Sequence, residues 1–281
     1  MTGACWWGEG LLRRGPDDEL RALADRAVTR GELRSQVRVL AAHLAAEGIG
    51  AGSSVAIRMP PSLTLLAAWS RKAQVILLDA RLTAYEVGRL LRVCEPQFLL
   101  YAEPLRGMSY LVEDVPFTVE RRPSGVPATD DVCLIQVSSG STGTPKVIGR
   151  TASSLLQELE RYTALDGMPG ARDRVVLLNS VIHTMGLVGG ILHGLNSGAQ
   201  MVFPSRLRAG DIIEAVRGPG LAPSSACRCT LLCSQASPGA PCLLCDWRSR
   251  RESCCPARFG RSSTSSTACP SAPCTARRRP G

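Results

Sequence analysis

Three observations predict an α/β fold, with a mostly parallel sheet layered with helices and an unstructured tail behind it. Apolar runs of strand length alternate with helix-patterned stretches from about residue 30 to residue 216. Several of those runs are continuously apolar, as strands buried on both faces require. Beyond residue 216 the alternation ends, and no Val, Ile, Lys, Tyr or His occurs in the last 65 residues. A segment of that composition has too little apolar surface to build a core.

The first helix is set by Leu33, Val37, Leu40 and Leu44, whose spacings of four, three and four make one face over 30–43. Gly48 supplies its stop. A short strand at 55–57, a helix over 62–72 after Pro60-Pro61 and a buried strand at 75–78 follow. Thr83 and Glu86 have the spacing of a capping box, in which each side chain satisfies a free amide of the first turn. That helix runs to about Cys94, before Pro96, and the next strand is 98–101. After a loop rich in proline and charge, 132–137 is a continuous apolar run ending in a polar, glycine-bearing turn at 138–146. Beyond the turn come a helix over 153–165, a strand at 175–178, a helix over 185–195, a strand at 200–203 and a short helix at 211–216.

Charge follows the same division. Residues 1–216 hold 23 Lys and Arg against 22 Asp and Glu, whereas 217–281 hold 10 Arg against 2 acids. The net +9 therefore belongs to the tail and gives no reason to assign the folded part to nucleic acid. Only Cys5, Cys94 and Cys133 precede the division, and nine cysteines follow it. Scattered thiols of that number suit a reducing cytoplasm. The first ten residues lack the pattern of a secretory signal. The longest apolar stretch, 186–204, is interrupted by His193, Asn196, Ser197 and Gln200, so no membrane span is expected.

The segment Ser138-Ser139-Gly140-Ser141-Thr142-Gly143-Thr144-Pro145-Lys146 is the most informative in the chain. It is no Walker A loop, since Pro145 precedes the lysine and Val147 follows it. Its chemistry nonetheless suits phosphate: glycines let the backbone approach closely, hydroxyls donate to oxygens, and Lys146 adds positive charge. The bland alternative is a polar turn and nothing more. For His183 the alternative is a solvated histidine at a strand end, and His43 and His193, with no partner visible, are assigned no role.

This nine-residue segment resembles the phosphate loop of the adenylate-forming superfamily: acyl-CoA synthetases, aryl-AMP ligases and peptide-synthetase adenylation domains. R-K-A-Q-V-I-L-L-D-A-R-L-T at 71–83 and S-V-I-H-T-M-G-L at 180–187 look like two further motifs of that family, in the same order. The resemblance covers about 32–216. It implies ATP-dependent activation of a carboxylic acid to an acyl-adenylate, with Mg²⁺, usually followed by transfer to CoA or a carrier-protein thiol. It also implies that Ser138, Ser139, Ser141, Thr142 and Lys146 donate to the departing phosphates while Gly140 and Gly143 permit the turn. Lys146 is the catalytic candidate among them. His183 falls at the position that gates the carboxylate pocket. Val147 departs from the glycine often found after the lysine, and 71–83 lacks the usual Gly and Pro.

On this reading 1–216 is the N-terminal portion of an AMP-binding domain. The family's Y-G-x-T-E segment, its ribose-binding acid, its hinge and the lysine of its C-terminal domain do not occur in frame, so this chain is expected to be inactive. The tail has the composition of GC-rich coding sequence read in a wrong frame. Joining the third base of each codon to the first two of the next permits L-A-V-S-A-G-E-L-L-P-G-P-V-R over 246–260 and G-L-P-V-G-S-L-Y-G-T-T-E-T-G over 267–281. The second resembles the family's adenine-side motif. Two other functions remain open: a non-catalytic phosphate- or nucleotide-binding module, and a zinc- or nucleic-acid-binding protein acting through its tail. For zinc, the C-x-x-C at Cys242 and Cys245 lacks a second pair at ribbon spacing.

Overall fold

The computed structural model describes residues 6–24, 26–59, 62–102, 117–129, 131–138, 146–204, 208, 210–212, 229–232 and 245–247. Met1–Ser249 form one compact unit, and the second unit, Arg250–Gly281, lies wholly outside the described residues.

Two six-stranded sheets organise the first unit. Sheet B takes β3 (Ser54–Arg58), β4 (Gln74–Leu77), β5 (Phe98–Tyr101), β6 (Thr118–Arg121), β7 (Val132–Ser138) and β8 (Lys146–Thr151), in the order β6-β5-β3-β4-β7-β8. Its four inner strands are parallel, and β6 and β8 are antiparallel edges. Sheet A takes β1 (Leu20–Leu23), β2 (Ala27–Thr29), β9 (Arg174–Leu177), β10 (Gln200–Val202), β11 (Cys229–Leu232) and β12 (Cys245–Trp247), in the order β12-β11-β9-β10-β1-β2. Here too four parallel strands lie between antiparallel edges. The single parallel sheet that alternation suggests is thus two mixed sheets. Alternation specifies element type, and it leaves open which strands pair.

The short helix α1 (Glu9–Arg13) comes first, and the longer helices form for identifiable reasons. In α2 (Arg30–Ala46) and α4 (Ala84–Cys94) capping boxes close the first turn, Thr29 with Glu32 and Thr83 with Glu86. The same bonds hold both glutamates below the usual carboxylate range, the backbone amide of the cap residue being the first cause. α4 ends on Glu95 in the left-handed conformation, directly before Pro96. α5 (Ala152–Thr163) starts on Thr151, whose hydroxyl accepts from the Ser154 amide at 3.1 Å.

The main core packs Leu33, Val37 and Leu44 of α2 and Leu65 and Trp69 of α3 (Ser62–Ser70) with Val55, Ile57, Val75, Leu77 and Leu134 of sheet B. It continues through Leu155 and Leu159 of α5 to Val175, Leu177 and Met201 of sheet A. The opposite face of sheet B packs Ala56, Ile76 and Leu99 against Val87, Leu90 and Leu91 of α4.

Three local differences from the sequence reading stand out. The stretch after the polar turn begins with a strand, β8, before the helix starts. The helix expected over 185–195 is a π-helix over Met185–Leu192 that continues as α6 (His193–Ser197). Within the segment expected to be irregular, β11 pairs parallel to β9 and β12 pairs with β11. Of the helix expected at 211–216, residues 210–212 are helical and the others lie outside the described residues.

Candidate functional site

The parallel strands of sheet B bring their carboxyl ends together, which is where ligands of open α/β sheets bind. β7 is buried at Leu134 and Gln136, and its last residue, Ser138, pairs in register with Lys146 at the start of β8. Ser139, Gly140, Ser141, Thr142 and Gly143, with Thr144 and Pro145, lie outside the described residues. The strands that flank them, β7 and β8, pair antiparallel, whereas a Walker motif leads from a strand into a helix. Lys146 is exposed, and among the described residues no carboxylate forms an ion pair with it.

His183 reaches the same end of the sheet from far along the chain. It sits in the turn between β9 and the π-helix, with its imidazole exposed. Its amide donates to the Ser180 carbonyl at 3.2 Å, and its own carbonyl accepts from the Leu187 amide at 2.9 Å. Gln136 holds this turn against β7. Its Nε2 donates to the Ile182 carbonyl at 3.1 Å, and its Oε1 accepts from the Thr184 hydroxyl at 3.3 Å. One buried amide thus grips both neighbours of His183, and a buried amide is costly without such partners.

On the neighbouring strand of the sheet, the turn after β4 supplies the charge. Asp79 accepts from the Arg81 amide at 2.9 Å and from its guanidinium at 2.6 Å. Those hydrogen bonds hold the Asp79 carboxyl below its ordinary range, and the nearby His183 ring adds to the lowering. Arg58, at the end of β3, donates to the Leu82 carbonyl at 3.0 Å and braces this turn. The mouth of the sheet therefore offers a cation at Lys146, an exposed imidazole, and an anion already engaged with Arg81. That arrangement suits a negatively charged ligand at the hairpin.

Gln136, Thr184, Asp79 and Arg81 were not singled out by the sequence. For Gln136 the signal is a lone polar residue inside the apolar run 132–137. The others lie inside the quoted motifs, where nothing in residue type marks them.

The remaining histidines do structural work. His193 is fully buried, with Nδ1 3.2 Å from the Thr163 hydroxyl and Nε2 2.9 Å from the Pro169 carbonyl, and burial lowers its pKa. His43 stacks against Phe117 with ring centroids 5.0 Å apart. Among the described residues no three His, Cys, Asp or Glu side chains gather to hold a metal ion. The side chains of the tail cysteines lie outside that description. Among the described residues no helix is long and apolar enough to cross a membrane.

Comparison with known proteins gives a consistent result. The family model described as AMP-binding enzyme matches residues 12–218. A Mycobacterium tuberculosis protein whose name calls it a ligase, Rv1013, is 28% identical over 195 residues, covering 62% of this chain and 36% of that protein. A polyketide synthase-nonribosomal peptide synthetase of Aspergillus clavatus is 26% identical over 197 residues, which are 65% of this chain and 5% of that one. Among solved structures, o-succinylbenzoate CoA synthetase of Bacillus subtilis in complex with AMP superposes with a TM-score of 0.61 at 20% identity. It covers 75% of this chain and 58% of that one. The same enzyme has been solved with ATP and a magnesium ion. The chain thus spans about a third of the ligase's length and 5% of the polyketide synthase-nonribosomal peptide synthetase's.

Proposed function

We propose, from the premise that this chain belongs to the AMP-binding enzyme family, that it is the N-terminal portion of an ATP-dependent, adenylate-forming ligase. The parent reaction joins a carboxylic acid to the α-phosphorus of ATP, releases pyrophosphate and leaves an acyl-adenylate. Transfer of the acyl group to the thiol of CoA or of a carrier protein then follows. The cytoplasm, where both are found, is the proposed location.

The observation that supports this most is the meeting of the β7–β8 hairpin and the His183 turn at one end of sheet B, joined through Gln136. In this reading Ser138, Ser139, Ser141, Thr142 and Lys146 donate to the β- and γ-phosphates, with Gly140 and Gly143 allowing the backbone to close in. Lys146 stabilises the charge that grows on pyrophosphate as it departs. Mg²⁺, entering with the nucleotide, would supply charge neutralisation at those phosphates. His183 stands at the entrance to the carboxylate pocket and is kept there by Gln136.

By itself this chain does not catalyse the reaction. Half a nucleotide site cannot orient the α-phosphorus against a carboxylate, and orientation supplies much of such a rate enhancement. We further propose that 217–281 is encoded out of frame. The shifted reading supports this, as does a family match that stops at residue 218, where the composition changes. The test is carboxylate-dependent exchange of pyrophosphate into ATP. Background exchange is expected from the 281-residue chain, and robust exchange with any acid would refute the inactive reading. Nucleotide binding without exchange would favour a non-catalytic module.

A further inference from the structure

The opposite, amino end of sheet B holds a cavity of about 380 Å³ that plays no part in the reading above. Its walls include Trp6, Trp7 and Trp69, close to the starts of β4 and β7. The indoles form an edge-to-face series, with Trp6 and Trp7 centroids 5.6 Å apart and Trp7 and Trp69 4.7 Å apart. Trp69 is fixed by donating its Nε1 proton to the Cys133 carbonyl at 2.9 Å. A cavity of this size, lined by aromatic rings with a few polar groups, has the make-up of a small-molecule site.

Two charged residues line the same cavity, Lys72 and Asp131, and both are exposed. Each is held in the left-handed conformation, at φ 60° and φ 63°. Lys72 occupies the position just past α3 where helices usually place glycine, and the turn closes by the Ala73 amide donating to the Ala68 carbonyl at 3.1 Å. Lysine is less favoured than glycine at such a position, whereas aspartate is among the residues that adopt it readily. Among the described residues neither the ammonium of Lys72 nor the carboxylate of Asp131 has an ion-pair partner. They do not pair with each other either.

We propose that this cavity is a second ligand site, and that it takes a small zwitterion: an apolar body against the indoles, a carboxylate toward Lys72 and an ammonium toward Asp131. The lining favours that class over a simple anion or cation, because an ion of one sign would gain one charge contact and be repelled by the other. An ammonium is also attracted to indole faces. The site is independent of the hairpin at the carboxyl end, so the proposal stands whether or not the chain binds nucleotide.

Three of the four tryptophans of the chain line the cavity, so intrinsic fluorescence reports on its occupancy. The full chain would be titrated with norleucine, with hexanoate and with hexylamine, which share an aliphatic body and differ in charge. Saturable change in emission with norleucine is expected, at an affinity about tenfold above that of either singly charged analogue. Lys72→Glu and Asp131→Lys should each weaken norleucine binding by a similar factor, and the double exchange should recover it. Both positions are exposed, so circular dichroism should show the fold intact in every variant. Equal affinity for the three compounds would overturn the proposal. Norleucine binding indifferent to both exchanges, or absent altogether, would overturn it as well.

Discussion

Sheets A and B share one plan, four parallel strands between antiparallel edges, yet they are assembled from the chain in different ways. Sheet B draws all six strands from the single stretch 54–151, although β3 pairs with β5 and β4 with β7 across intervening elements. Sheet A gathers strands from 20–29, from 174–202 and from 229–247. One outer edge of sheet A therefore depends on the part of the chain poorest in apolar residues. The difference teaches that equal architecture does not mean equal security. Sheet B carries the candidate phosphate hairpin on a locally built frame, whereas sheet A depends on distant segments arriving.

The largest effect should come from repairing that distant segment. If the coding frame is restored near the codon for Arg217, the product should gain carboxylate-dependent pyrophosphate exchange, on the order of a millionfold or more above the uncatalysed rate. In the repaired enzyme Lys146→Ala should slow adenylate formation by roughly tenfold to a hundredfold, since a charged hydrogen bond is worth about 1.5–3 kcal/mol. An early stop codon in the second frame, or a repaired enzyme indifferent to Lys146, would remove the support for an out-of-frame tail.

A smaller effect tests the contrast between the sheets directly. Leu134→Ala, at a fully buried position of sheet B, should cost about 2–5 kcal/mol in denaturant unfolding. Deleting 217–281 removes β11 and β12 from sheet A and should lower stability by less. A deletion that unfolds the chain would reverse the ranking of the two sheets.

His193, in the helix that leads into sheet A, makes the comparison depend on pH. Burial lowers its pKa below the ordinary 6.5, so the unfolded chain takes up a proton before the folded one does. Its contribution is fully present above 6.5 and is lost as pH falls through the folded value. Urea midpoints measured from pH 8 to pH 5 should fall at the acid end, and His193→Gln should flatten that part of the profile. The smallest effect is expected at the rim of sheet B, where Thr83→Ala removes the cap of α4 and should cost about 1 kcal/mol. Thermal unfolding of the variant measures it.

Sheet B was largely legible in the sequence because its inner strands are continuous apolar runs, and α4 announced itself through Thr83 and Glu86. Elements that lack such marks were missed. β1 contains Arg21, Arg30 directly follows β2, and buried guanidiniums hide a strand from any reading of hydropathy. They are tolerable there because both donate to Glu19, at 2.5 and 2.9 Å. β8 was missed because Lys146, Val147, Ile148 and Gly149 are all exposed, so no alternation is imposed on them. At the candidate site, Lys146 and His183 are candidates through the motifs that surround them, not through residue type alone. The tie between them was invisible, because Gln136 acts through a bond to a residue 46 positions away.

The π-helix after His183 sets an angular phase. Each of its turns closes one residue later than an α-helical turn, so Met185–Leu192 holds slack that an α-helix would not. Gly186 makes this winding possible, because a Cβ there would come within 2.3 Å of the Ser180 carbonyl oxygen. Loss of one residue from the stretch would take up that slack and let it rewind as an α-helix with both flanks close to their present phase. A residue lost from a plain α-helix would instead turn whatever precedes it by about 100° and carry the Ile182 carbonyl and Thr184 hydroxyl away from Gln136. The π-helix therefore acts as a buffer that can give up one residue while His183 keeps its direction, separate from the stability of the fold.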